Sequence, residues 1–198
     1  MAVDIESIKR LKDLTGVGLT DAKKALEESK GDFDSALEAM RKKGLTKAEK
    51  RGEREARAGI IGTYNHDSRI GVIVEVNCET DFVARNEIFT DMVKDLSMQI
   101  AATSPVYVSI EDVPKEDIDA KEAEFTEQAK EGNKPAEVVK KIVDGQVKKY
   151  FAERCLMDQP FIKDPDQTVG AYVKERAARL GENIVVRRFE RFALGEIS

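Results

Sequence analysis

The 198-residue chain holds one histidine, His66, in a polar Asn65-His66-Asp67-Ser68 stretch between two apolar runs. It is the only imidazole available as a general base, and a turn position exposes it. No G-x-S-x-G, H-E-x-x-H or C-x-x-C pattern occurs, and no Gly-rich phosphate loop. Gly16-Val17-Gly18 is too short for a nucleotide fingerprint and lies between helical patterns. Cys78 and Cys155 are too few for a disulfide scaffold or a four-Cys zinc site, and one histidine excludes His-pair metal motifs. Carboxylate pairs carry no information in a chain with 38 acidic residues. These absences predict a protein that is not an enzyme and has no metal or cofactor of its own.

The segment Asn77-Cys78-Glu79-Thr80-Asp81-Phe82-Val83-Ala84-Arg85-Asn86-Glu87 is a different kind of candidate. It joins a strand pattern to a helix pattern. Thr80 suits an N-cap and Asp81 the first turn, where a carboxylate meets the positive end of the helix dipole. Phe82 then sits on the first turn. It either tucks under the helix as a staple or stands out as a rigid aromatic beside a charge, the usual form of an interface anchor.

The elements that must position this segment follow from periodicity. Ile5, Ile8 and Leu11 recur at helical spacing, and Thr15-Gly16-Val17-Gly18 breaks the pattern. Thr20-Asp21 offers an N-cap for a second helix carrying Ala22, Ala25 and Leu26. Lys30-Gly31-Asp32 ends it and opens a third, with Phe33, Ala36, Leu37 and Met40, closed by Gly44. Val17, set between glycines, is expected to be exposed for docking, a packed turn residue being the alternative. Eight Lys/Arg and three Glu crowd residues 41–57. That alternation reads as a solvated helix or tether, with an anionic-partner site as the sharper reading.

Beyond it, Ile60–Tyr64 and Ile70–Asn77 predict a hairpin, with Ile70, Val72, Val74, Val76 and Cys78 on one buried face. Phe89, Met92, Val93, Leu96 and Ile100 mark a helix within residues 80–102, ended by Ser104-Pro105, with a short extended piece at Val106–Val108. Residues 111–131, with nine acids, predict an acidic helix, and Val139 to Phe151 a longer one that tolerates Gly145. Gln159-Pro160 and Asp164-Pro165 bracket a loop. Val169 to Leu180 forms a helix stopped by Gly181, and Asn183 to Leu194 a strand. Phe189 and Phe192 fall on opposite parities of that strand, which a bulge would reconcile. The fold class is α+β: a three-helix domain over 1–44, a basic linker over 45–58, and a core of small antiparallel sheet and helices over 59–198.

Net charge is −5, which argues against nucleic acid as a direct partner. No window approaches the ~18 apolar residues of a membrane span. The first ten residues lack a signal-peptide core, so the cytoplasm is the expected compartment.

Four segments resemble one family. "VNCETDFVARNE" closely resembles the signature of the bacterial elongation factor Ts family, and so does "LKDLTGVGLTDAKKALEESKGDFDSALEAMRKKG" near the N-terminus. "GTYNHDSRIGVIVEVN" is similar to that family's core hairpin and "QPFIKDPDQTVGAYVKE" to its C-terminal segment. The resemblance spans nearly the whole chain in order. It implies an N-terminal domain of ubiquitin-associated type and a core dimerisation domain. It implies guanine-nucleotide exchange on elongation factor Tu during translation elongation, with Thr80, Asp81, Phe82 and Val83 dislodging Mg²⁺ from that partner. Partner contacts are implied at Leu11, Val17, Leu19 and His66. Longer family members carry two related core halves, whereas one set is found here, so the chain resembles a short form and a homodimer is expected. A protein-binding adaptor built on the N-terminal three helices is the alternative function.

Overall fold

The structure, a computed structural model, describes residues 4–15, 17–42, 51–130 and 135–196. The N-terminal pattern folds as α1 (Ile5–Thr15), α2 (Leu19–Glu28) and α3 (Phe33–Lys42). Ile8, Leu11, Val17, Ala22, Ala25, Leu26, Ala36 and Met40 share one buried cluster. Ile5, expected on the same face, is exposed in the first turn of α1. The cap of α2 is Gly18 rather than Thr20-Asp21, and it makes no side-chain cap bond. The α2–α3 turn follows expectation: Gly31 takes φ +87°, and the Asp32 carboxylate accepts the Ser35 N–H at 2.6 Å. The expected closure at Gly44 lies outside the described residues, as do 43–50 of the basic stretch.

The end of that stretch is not a free tether. Arg51 is buried, and the Asn183 side-chain amide donates to the carbonyls of Gly52 at 3.2 Å and Arg54 at 2.6 Å. Two backbone acceptors are thereby satisfied by the C-terminal part of the chain, which holds the segment down.

A hairpin of β1 (Ala58–His66) and β2 (Ile70–Cys78) follows. Asp67 and Ser68 turn it with φ of +50° and +57°, and the Arg69 N–H donates to the His66 carbonyl at 2.9 Å. A third strand, β5 (Val185–Ala193), pairs antiparallel with β2, giving the order β1-β2-β5. Val72, Val74, Val76 and Cys78 are buried on the inner face, as period two requires. The bulge in β5 exists: Glu75 pairs with Arg188 and Val76 with Val186, which leaves Arg187 extra. It does not reconcile the two phenylalanines, because it precedes both. Phe189 packs on the core and Phe192 stands exposed on the outer face.

Between Thr80 and Thr103 the helical pattern splits in two. A single turn, α4 (Asp81–Ala84), ends at Arg85, and Asn86 caps a new helix, α5 (Glu87–Thr103), by accepting the Ile88 N–H at 2.9 Å. Helix α5 lies across the inner face of β1 and β2. Its approach depends on Gly62, where a Cβ would fall 2.4 Å from Val93 Cγ1. Ser104, in the left-handed region, ends α5.

The acidic helix α6 (Lys115–Lys130) pairs with α7 (Ala136–Ala152). A satellite cluster of Val113, Phe151 and Cys155 lies at their base, with Tyr107 bridged to Cys155. The region expected as a loop is a small hairpin, β3 (Pro160–Phe161) and β4 (Asp164–Thr168). Phe161 stacks on Tyr172 of α8 (Val169–Leu180) at 4.3 Å between ring centroids. Gly181, at φ +77°, closes α8. Among the described residues no helix is long and apolar enough to cross a membrane.

Candidate functional site

Strand β2 delivers the chain to the site. Cys78 is its last residue, fully buried, and its thiol donates to the Thr80 carbonyl at 3.2 Å. Burial first, then the nearby Glu182 carboxylate, pushes that thiol up to about 11, so it stays protonated as a donor. Thr80 is the N-cap of α4, its hydroxyl accepting the Val83 N–H at 3.4 Å. Its carbonyl also accepts the Ala84 N–H at 3.2 Å, which closes the turn.

Within that turn the side chains divide. Val83 and Ala84 are buried in the main core, Val83 at 6 % exposure. Phe82 is 83 % exposed, the most exposed large apolar side chain among the described residues. Of the two readings open in the sequence, the staple is excluded and the outward aromatic is the one found. Asp81, Phe82, Arg85 and Asn86 line one open depression at the surface. A carboxylate, a guanidinium and an amide therefore line the depression with an aromatic ring in water, a composition found at interface anchors.

Two carboxylates missed by sequence reasoning fix the base of the turn. Glu182 Oε2 accepts the N–H groups of Glu79 at 3.0 Å and Thr80 at 3.1 Å, and Glu182 Oε1 accepts the Thr80 hydroxyl at 2.6 Å. In return Glu79 Oε1 accepts the Asn183 N–H at 2.6 Å and faces Arg54 Nη1 at 3.4 Å. No local pattern could announce a clasp between segments a hundred residues apart. Its only trace in sequence is an acidic residue just after the helix-stopping Gly181.

His66 does not join this site. It ends β1 opposite Ile70, while Cys78 pairs with Ala58 at the other end of the hairpin. Eight residue steps separate the two ends, about 27 Å at strand rise. The His66 ring stacks near Tyr64, whose hydroxyl lies 3.1 Å from Nδ1.

The N-terminal expectations need correction. Leu11 is fully buried, so it supports the three-helix domain from within and presents no atoms for contact. Val17 is 9 % exposed and packs in the same cluster. It is the apolar side chain of the turn and joins the buried cluster of the three helices. Leu19 is 55 % exposed, and Leu14, to which the sequence assigned no role, is also exposed. Leu14 could have been found because it falls off the Ile8-Leu11-Thr15 stripe. The exposed apolar pair that flanks the α1–α2 turn is thus Leu14 and Leu19.

Among the described residues no cluster of His, Cys, Asp and Glu is placed to hold a metal ion. Cys78 and Cys155 are free and buried. The fold and this surface define an α+β protein whose candidate site is an outward aromatic turn mounted on a sheet. Comparison with known proteins places it further: the family described as Elongation factor TS matches residues 12–196, and the chain belongs to that family. It is 50 % identical over 196 residues to elongation factor Ts of Thermodesulfovibrio yellowstonii, covering 99 % of this chain and 98 % of that one. It is 49 % identical over 197 residues to elongation factor Ts of Geobacter sp. strain M21 and of Citrifermentans bemidjiense, covering 91 % of each. Its place is therefore among the factors of translation elongation in protein biosynthesis.

Proposed function

We propose that this chain is the guanine-nucleotide exchange factor of elongation factor Tu, acting in the cytoplasm and making or breaking no covalent bond. The observation that carries the reading is Phe82, held on a rigid turn with its ring in water. An exposed phenylalanine on a capped, buried-footed turn is preorganised for insertion, so little ordering entropy remains to be lost on binding.

GTPases hold GDP through backbone N–H groups and a Mg²⁺ that bridges the phosphates. The proposed action is on that partner site. Phe82 enters between partner elements and displaces those that hold the metal, Thr80 and Val83 fix the turn, and Asp81 adds a charge at its tip. With Mg²⁺ displaced, phosphate charge is less neutralised and the nucleotide leaves faster. Linkage makes the effect reciprocal: rebinding of nucleotide weakens the factor by the same coupling.

The three N-terminal helices are proposed to dock on the same partner through Leu19 and Leu14, exposed at either end of the α1–α2 turn, and His66 to contact it at the far end of the hairpin. The core is proposed to dimerise through its outer sheet face. There Ile61, Ile73 and Phe192 are exposed on the three strands while α5 covers the inner face. Stopped-flow release of a fluorescent GDP from elongation factor Tu tests the reading. Release should accelerate with added protein and saturate, and a rate independent of added protein would refute it.

A further inference from the structure

We infer that Glu182 is a positioning residue for exchange: its carboxylate sets the orientation of the turn that carries Phe82. The inference rests on the exchange reading above and assigns it a residue a hundred positions from the turn.

Three donors converge on one side chain. The N–H groups of Glu79 and Thr80 and the Thr80 hydroxyl all reach Glu182, at 3.0, 3.1 and 2.6 Å. These are the groups where β2 stops and α4 begins. Charge-assisted hydrogen bonds of this kind are shorter and stronger than neutral ones. The Thr80 hydroxyl has one proton, and Glu182 Oε1 takes it. The hydroxyl oxygen is therefore left as an acceptor for the Val83 N–H, the bond that caps the turn. Glu182 thus fixes the hydroxyl rotor as well as the backbone. Glu182 itself is anchored. Gly181 turns the chain in the left-handed region just before it, and the next residue, Asn183, donates its N–H to Glu79 and its amide to the 52–54 backbone. Two segments distant in sequence are clasped reciprocally, Glu79 receiving from the 182 side and Glu182 from the 79 side.

Phe82 is 83 % exposed, so little of its ring is held by packing. The aim of the ring is set by the backbone of 80–84 alone. That backbone has three supports: the burial of Val83 and Ala84 beneath it, the Cys78 thiol on the Thr80 carbonyl, and the Glu182 clasp at its start. Removing the clasp leaves the core anchor but lets the first residues of the turn rotate.

The test is fluorescent-GDP release from elongation factor Tu by wild type, Glu182→Ala, Glu182→Gln, Phe82→Ala and the double variant Glu182→Ala/Phe82→Ala, with thermal unfolding of each alone. Glu182→Ala should slow saturating release about tenfold or more, as loss of a well-oriented anchor does. Glu182→Gln keeps an oxygen for the two backbone N–H groups but turns an NH2 toward the Thr80 hydroxyl, so its rate should fall between wild type and Glu182→Ala, whereas a charge-steering role would make it as slow as Glu182→Ala. The double variant should be no slower than Phe82→Ala, because both act through one ring. Should Glu182→Ala unfold, Glu182→Asp retracts the carboxylate by one methylene and reads the same quantity. Wild-type release by the folded variant, or full additivity with Phe82→Ala, overturns the inference. Slow Phe82→Ala with fast Glu182→Ala overturns the positioning role alone, whereas wild-type release by Phe82→Ala overturns the wedge and this inference with it.

Discussion

Phe82 and Val83 are consecutive and opposite in environment: one is 83 % exposed, the other 6 %, on a helix only four residues long. A one-turn helix must send neighbouring side chains about 100° apart, and here the core takes Val83 and Ala84 while solvent takes Phe82. The turn is footed in the protein and offers its largest apolar surface outward. An exposed apolar side chain is ordinary by itself. One mounted on an N-capped turn whose base is held by a carboxylate clasp is a rigid projection.

The N-terminal domain separates two roles that its sequence merges. Leu19→Ala should lower affinity for elongation factor Tu while leaving the fold intact, since its side chain lies mostly in water. Leu11→Ala should instead destabilise the three-helix domain by about 2–5 kcal/mol, as buried leucine truncations do. Val17→Asp should act like Leu11→Ala, because it buries a carboxylate in that cluster. Calorimetric titration against the GTPase, alongside circular dichroism melting, distinguishes them. A folded Val17→Asp that binds weakly would return Val17 to the interface.

The outer sheet face predicts self-association. Ile73 on β2 and Phe192 on β5 are exposed on this face as diagonal neighbours, Ile73 pairing with Glu190 and Phe192 with Gly71. A second copy covering this face gives a closed twofold dimer. Phe192→Lys together with Ile73→Lys should convert the dimer to a monomer in sedimentation velocity without loss of helix content. A wild-type monomer of 22.1 kDa at micromolar concentration would contradict it.

Much of this was legible in sequence where the signal is local. Val72, Val74, Val76 and Cys78 announce a buried strand face because period two leaves no other packing, and Thr80 announces a cap by its chemistry. The split at Arg85–Asn86 was hidden, since Val83 and Phe89 are both apolar and buried and the pattern reads through the break. The β3–β4 hairpin was hidden by Pro160 and Pro165, which sit at tolerated positions of short strands. Phe192 was misjudged because parity alone does not place the bulge at Arg187, before both phenylalanines. The Glu182 clasp was out of reach because it links segments that meet only in the folded chain. The burial of Val17 was also out of reach, since a turn flanked by glycine can point its side chain either way.

Alkaline stability should fall for a definable reason. Burial pushes Cys78 and Cys155 up to about 11 from 9.0, and burial with the Asp95 hydrogen bond pushes Tyr172 up to about 12 from 10.0. In each case the folded state retains a proton that the unfolded chain has lost. These contributions are complete below the unfolded values and are lost as pH rises through the folded ones. The urea midpoint should therefore drop between about pH 9 and about pH 11, and Cys78→Ala should make the drop shallower. A midpoint unchanged over that interval would contradict the burial of all three groups.

As an outward wedge, Phe82 should drive GDP release. Fluorescent-GDP release from elongation factor Tu, measured by stopped flow at fixed Mg²⁺ with saturating Phe82→Ala, tests it most directly. A truncation in water should change stability by no more than about 0.5 kcal/mol. The variant should therefore keep a wild-type melting curve while its accelerated release falls about 30-fold, the equivalent of a hot-spot loss of about 2 kcal/mol. A folded Phe82→Ala protein that releases GDP at the wild-type accelerated rate would contradict it.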